Sequence, residues 1–259
     1  MQLLVDMGYA EVVLTGVHLG SYGHDRGERH GLAQLVRALL DDTAVLRLRL
    51  SSLEPWDLQD DFFALWSDRR LCRHLHLPLQ SGCDATLRRM ARRTSQSAFS
   101  ALVRAARTDI PDVAITSDII VGFPGETEAE FEDSRRFVEA MEFAGLHVFR
   151  YSRRPGTPAA RMRGQVDEPV RKTRAEQMLA LSAELARAYA ERRLGETVAV
   201  LWEQVGGVTQ DGFMNVGYTD SYVRVQCIHP RALTGLVTPA QALRYDGARD
   251  ALDVTPVLT

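Results

Sequence analysis

Five short apolar segments recur along the N-terminal part of the chain at intervals of roughly 30 to 40 residues, and this rhythm is the strongest constraint on the fold. They are VVLTG (Val12–Gly16), LRLRLSS (Leu46–Ser52), HLHLPLQ (His74–Gln80), ITSDIIVGF (Ile115–Phe123) and LHVFRYS (Leu146–Ser152). A strand, a crossover helix and the next parallel strand consume such an interval. Helical periodicity fills the gaps. It is clearest after Thr127, where Thr127 and Glu130 have capping-box spacing and Phe131, Val138 and Met141 mark one apolar face. The expected fold is therefore α/β, either doubly wound or a barrel, and both forms gather ligands at the C-terminal ends of the strands.

The pattern changes after Tyr151. The segment Tyr151–Gly164 carries two prolines and two glycines and reads as a loop. A long helix is predicted from about Pro169 to Leu194, with Met178, Leu181, Leu185 and Ala188 on one stripe and Gly195 as its stop. Beyond it, TVAVLWE, FMNVGYTD, YVRVQCI and LTGLVTP are short alternating segments separated by polar turns, which predicts a small all-β barrel. The expected division is a core at 1–168, a connecting helix at 169–194 and a β module at 195–259.

Charge restrains the functional reading. With 31 basic and 34 acidic residues the net charge is -3, so any nucleic-acid site must be a local patch rather than a global field. No apolar run approaches the roughly 20 residues of a membrane span and no cleavable leader pattern opens the chain, so a cytoplasmic protein is expected. Cys72, Cys83 and Cys227 are too scattered for a disulfide framework or a metal knuckle.

Polar residues and glycines stand at the end of each predicted strand: Thr15, Gly16 and His18; Ser51, Ser52 and Glu54; Gln80, Ser81 and Gly82; Gly122 to Glu126; Ser152 and Arg153. Any one set is ordinary turn chemistry, but in a βα repeat all five converge on one mouth. The stretch DIIVGFPGET joins an apolar strand to a helix N-terminus through glycines that let a ligand approach the backbone. Asp118 interrupts that strand, and a buried carboxylate needs a partner, either a ligand or an arginine. Glu54 sits on a turn before Pro55, where a charged amino group is one partner and solvent the commoner one. His74 and His76 alternate on one strand face with metal-ligand spacing, but the sequence shows no third ligand, so they read as hydrogen-bonded structural histidines and no metal site is assigned. In the tail, Phe213, Tyr218, Tyr222 and Arg224 offer faces on which RNA bases stack, although acids outnumber arginines there and core packing explains the aromatics equally well.

In this order and spacing, EVVLTGVHLGSYG, LRLSSLEPW, HLHLPLQSGCDATLRRM, TSDIIVGFPGETEAEFE and FRYSRRPGTPAARM closely resemble the core of radical S-adenosylmethionine (SAM) tRNA methylthiotransferases. The wording VLTGVHLGSYG looks most like the branch acting on threonylcarbamoyl-adenosine, and the tail with VGYTDSYVRV resembles the RNA-binding TRAM module. The resemblance implies a radical SAM partial barrel, SAM and a 4Fe-4S cluster as cofactors, tRNA as partner, and insertion of a methylated sulfur at an unactivated adenine carbon. Carried over by position, Thr15, Gly16, His18, Ser51 and Glu54 would lie near the methionine part of SAM, and Gln80, Ser81, Asp118 and Gly122 near its ribose and adenine.

One family element has no counterpart here. The CxxxCxxC loop that holds the cluster, expected just before the helix ending at about Gly8, does not occur in this sequence, and the three cysteines do not replace it. The expectation is an inactive fragment or a miscalled start that lacks the first barrel strand, leaving the VVLTG strand with an apolar edge prone to self-association. Two other readings stand beside it: a relative of the ribosomal-protein aspartate methylthiotransferases, and a non-catalytic RNA-binding remnant.

Overall fold

The computed structural model describes residues 1–58 and 61–257. A short helix α1 (Gln2–Asp6) leads into β1 (Glu11–Leu14), α2 (Gly31–Asp42) and β2 (Arg47–Leu50). Then follow β3 (His74–His76), α3 (Asp84–Arg89), α4 (Gln96–Asp109), β4 (Ala114–Val121), α5 (Glu128–Ala140), β5 (Gly145–Arg150) and α6 (Glu168–Glu191). The strand pairs β1–β2, β3–β4 and β4–β5 are all parallel. A bridge between Leu48 and Leu71 and the bond from the Leu53 N–H to the His76 carbonyl at 2.9 Å join the two sets, giving the spatial order β1-β2-β3-β4-β5.

Strand alternation explains the layering. Leu48, Leu50, Leu75, Ile115, Ile119 and Val121 turn to one face and are buried against Val36, Phe99, Val103, Phe131, Val138 and Met178 from the helices. The opposite face of β4 carries Thr116, Asp118 and Ile120, each only partly buried, and is the polar side of the sheet. Thr127 and Glu130 make both bonds of a capping box at the start of α5.

The third strand is shorter than HLHLPLQ suggests. Pro78 has no N–H to give to a ladder, so pairing stops at His76 and resumes at one bridge, Gln80 to Ile119, with Gln80 at φ 74°. The outer edge of β1 has no strand partner among the described residues, and Val13 there is 49% exposed.

The tail comprises β6 (Thr197–Thr209), β7 (Gly212–Thr219), β8 (Arg224–His229), β9 (Val237–Asp246) and β10 (Ala251–Pro256), closed in the order β10-β8-β7-β6-β9. The sequence pattern did not mark β10, which completes the ring by pairing parallel to β8 and antiparallel to β9, so no open edge is left. Val198, Val200, Trp202, Val225, Ala240 and Leu252 fill its interior. Among the described residues no helix is long and apolar enough to cross a membrane.

Candidate functional site: the polar face of the parallel sheet

Register places Glu11, Arg47, Arg49, His74, His76, Thr116, Asp118 and His147 on the polar face, because Glu11 pairs with Arg47, His76 with Thr116 and Asp118 with His147. The face has a base, at the N-terminal ends of the strands, and a mouth at their C-terminal ends.

At the base, buried charges pair with one another, although the Arg47 Nε has no hydrogen-bond partner. Glu11 bridges Arg47 at 2.8 Å and Arg49 at 2.7 Å, and all three side chains are nearly inaccessible. Burial alone would raise the Glu11 carboxyl, but the hydrogen bond from Arg49 and the charges of Arg49 and Arg47 outweigh it and hold the group below its ordinary range. The same guanidinium groups reach into the small barrel: Arg47 donates to the Thr219 carbonyl at 2.9 Å and Arg49 to the Asp220 carbonyl at 3.0 Å. Arg73 pairs with the Asp220 carboxylate at 2.7 Å. The β7–β8 turn thus closes the base of the face. Tyr222, at φ 65°, lies with its ring 5.1 Å from both His74 and Tyr218 and beneath the Arg49 guanidinium. His74 is pushed down to about 3 by burial first and by Arg49 second, so it is neutral, and it contacts the Thr116 hydroxyl at 3.0 Å.

Toward the mouth the residues singled out from sequence separate into three groups. Thr15, Gly16 and His18 are exposed beyond β1, and His18 Nε2 meets the Asp57 carboxylate at 2.5 Å. Several are already engaged within the chain. Glu54 pairs with Arg92 at 2.8 Å, in place of the ligand amino group envisaged for it. Ser81 is buried and accepts the Cys83 N–H at 3.2 Å, and the Gln80 backbone bonds to β4 on both sides. The Gly122 N–H donates to Glu126 at 2.9 Å; at φ 72° a Cβ there would strike the Arg171 side chain. The exception is Ser51, whose hydroxyl is buried with no hydrogen-bond partner, an arrangement that suits a ligand.

Asp118 finds two partners, His76 Nε2 at 3.1 Å and His147 Nδ1 at 3.2 Å. Burial pushes its carboxyl up, and the two histidines more than reverse the effect. The residues that sequence reasoning missed, Glu11, Arg47, Arg49 and His147, make up half of the polar face named above. The alternation in LRLRL was a signal, since arginines on every second position share one face, but charge on a strand ordinarily means solvent.

The RNA-directed set is likewise divided. Tyr218 and Tyr222 stack on one another, and Arg224 donates to the Arg249 carbonyl at 3.0 Å, while Phe213 is half-buried at the start of β7. Cys72, Cys83 and Cys227 are buried on separate elements, the first and last with thiols pushed up to about 11 by burial. Among the described residues no three thiols converge.

Parallel βα units with a polar face and a ligand mouth define a class, and the sequence profile of the Radical SAM superfamily matches residues 1–138. The chain belongs to that superfamily. Within it, the chain is 40% identical over 247 residues to the threonylcarbamoyladenosine tRNA methylthiotransferase MtaB of Bacillus subtilis, covering 94% of this chain and 54% of that protein. The Thermotoga maritima protein of the same name is also 40% identical, over 88% of this chain and 51% of its own length. The tRNA-2-methylthio-N(6)-dimethylallyladenosine synthase of Salinispora arenicola is 43% identical over 78% of this chain and 40% of its own. The chain spans about half the length of the curated relatives it matches. Among solved structures, coproporphyrinogen III oxidase (HemN) from Escherichia coli, a radical SAM enzyme, superposes with a TM-score of 0.54 at 17% identity, covering 68% of this chain and 40% of that one, a likeness of fold alone.

Proposed function

We propose that this chain is the SAM- and substrate-orienting part of a tRNA methylthiotransferase acting on threonylcarbamoyladenosine. The observation that carries the proposal is the 40% identity with the Bacillus subtilis enzyme across 94% of the chain. The reading assigns the partial radical SAM barrel to residues 1–168, the linking helix to 169–194 and a TRAM-like RNA-binding barrel to 195–259, with a cytoplasmic site of action. Loss of the gene is expected to abolish the methylthio form of threonylcarbamoyladenosine in cellular tRNA, read by mass spectrometry of nucleosides. Unchanged levels would overturn the substrate assignment.

The residues fit one cofactor and not the other. Ser51 supplies a buried hydroxyl without a protein partner, suited to SAM at the strand ends, and Gly122, at φ 72°, turns the chain after β4 while the Arg171 side chain fills the space a Cβ would take. SAM contributes the methyl group when bound. Ser51, Gln80 and Gly122 position it, and the buried Glu11–arginine network holds the floor of the face rigid beneath it. Ser51→Ala is expected to weaken SAM binding about five- to tenfold, the worth of one hydrogen bond. Equilibrium dialysis on a chimera carrying the N-terminal half of the Bacillus subtilis relative measures this, and unaltered affinity would remove Ser51 from the site.

A 4Fe-4S cluster does not fit this chain's residues, which offer no three thiolates close together. Anaerobic incubation of the 259-residue chain with iron and sulfide is therefore expected to leave it colourless, and a stoichiometric cluster spectrum would contradict this. In the RNA-directed barrel, Phe213, the exposed part of Arg224 and the half-exposed Tyr222 are the groups offered to RNA, with Tyr218 acting through the seating of the barrel on the sheet.

A further inference from the structure

We propose that His76, Asp118 and His147 form a binding site for a divalent first-row transition metal of the Zn2+ type, on the polar face of the sheet and independent of any iron-sulfur cluster. The three residues come from the adjacent parallel strands β3, β4 and β5, and the pairing of Asp118 with His147 and of His76 with Thr116 turns all three side chains to the same side. Strands are rigid supports, so the convergence is set by the sheet and not by loops.

The spacing of the donor atoms is that of a coordination shell. A metal lying about 2.0–2.1 Å from nitrogen and oxygen ligands holds them roughly 2.8 to 3.4 Å apart, from the edge of an octahedron to that of a tetrahedron. Asp118 Oδ1 is 3.1 Å from His76 Nε2 and 3.2 Å from His147 Nδ1, so two edges already have that length. The three donor atoms lie within 4.8 Å of one another, and the remaining gap closes by rotation of the His147 ring, whose side chain is 66% exposed. In the metal-free chain, protons bridge these contacts; a cation in the same place replaces them.

The donor set selects the class of ion. Two imidazoles and one carboxylate suit Zn2+, Fe2+, Co2+ or Ni2+, whereas Ca2+ and Mg2+ require oxygen ligands throughout. Three protein ligands leave at least one position open, and it faces the solvated side of the sheet. A supporting contact is also in place: the Ser52 hydroxyl lies 2.6 Å from His76 Nδ1, which fixes the ring and directs Nε2 at Asp118. His74 takes no part, because its Nε2 is held by Thr116 and its ring is covered by Tyr222.

Titration of the metal-stripped 259-residue chain with Co2+ tests the site without SAM, RNA or a cluster. One equivalent is expected to bind with visible ligand-field bands and no thiolate charge-transfer band, and Zn2+ should displace it. His147→Ala is expected to weaken Co2+ at least tenfold. Ser52→Ala should weaken it about tenfold, as loss of a ligand-orienting contact does. A His24→Ala, His30→Ala double variant should bind like the parent, since both residues are exposed and neither belongs to the donor cluster. His147 is exposed, so its truncation leaves the fold intact; Asp118→Asn, checked by circular dichroism, supplies the second arm. Binding that is substoichiometric, or equally tight in His147→Ala and Asp118→Asn, would overturn the proposal and leave the triad as a carboxylate hydrogen-bonded to two histidines.

Discussion

Glu11→Gln is expected to destabilise the chain by about 3–5 kcal/mol, the cost of leaving a buried charge without its partner. Two guanidinium groups depend on that one carboxylate, Arg47 at 2.8 Å and Arg49 at 2.7 Å, and each is also a donor to the β7–β8 turn. Losing the carboxylate therefore weakens both the β1–β2 pair and the attachment of the small barrel. The midpoint of urea unfolding measures the effect, and a shift under about 1 kcal/mol would mean that water reaches the arginines. The pH dependence has a definite sign. Because the folded Glu11 carboxyl is held below its ordinary value of 4.5, its contribution is complete above that value and is lost as pH falls through the lower folded one. The parent should thus lose stability in acid more steeply than Glu11→Gln does.

Trp202→Ala is expected to cost about 3–5 kcal/mol, as other large-to-small changes of buried aromatics do. Trp202 is fully buried at the centre of the barrel among Val200, Val225 and Leu252, and its indole N–H donates to the Thr238 hydroxyl at 2.9 Å. Truncation leaves a cavity and a buried hydroxyl without its donor. The barrel rests on few layers of side chains, so it should melt first. Trp56 and Trp66 lie in short helical turns between β2 and β3 and remain as fluorescent reporters of the parallel-sheet unit. A single coincident transition for near-ultraviolet dichroism and fluorescence would show instead that the buried arginines couple both units into one cooperative fold.

Much of this architecture was legible because it is local. The interval between apolar segments announces βα units, the Thr127–Glu130 spacing announces a helix start, and alternation after Gly195 announces β structure. The polar strand ends were legible as a group for the same reason. What was not legible depends on which side chains meet across strands. Ser81 and Glu54 looked available for ligand, yet one caps its own turn and the other is paired with Arg92, 38 residues along the chain. Tyr218 and Tyr222 looked like stacking platforms for bases, and they stack on each other because the β7–β8 turn is folded against the sheet.

The sequence by itself determined the class of fold, the order of its elements up to β9 and the family to which it belongs, since these follow from periodicity, capping and ordered motifs along one chain. Tertiary structure alone decided that Arg47 and Arg49 are buried, that Glu11 and the barrel turn pair with them, and that His147 joins His76 and Asp118. The physical reason is register. Parallel strands separated by long crossovers bring residues 29 to 42 positions apart into contact, the barrel turn brings Asp220 to Arg49 from 171 positions away, and no local pattern encodes which of them will face one another.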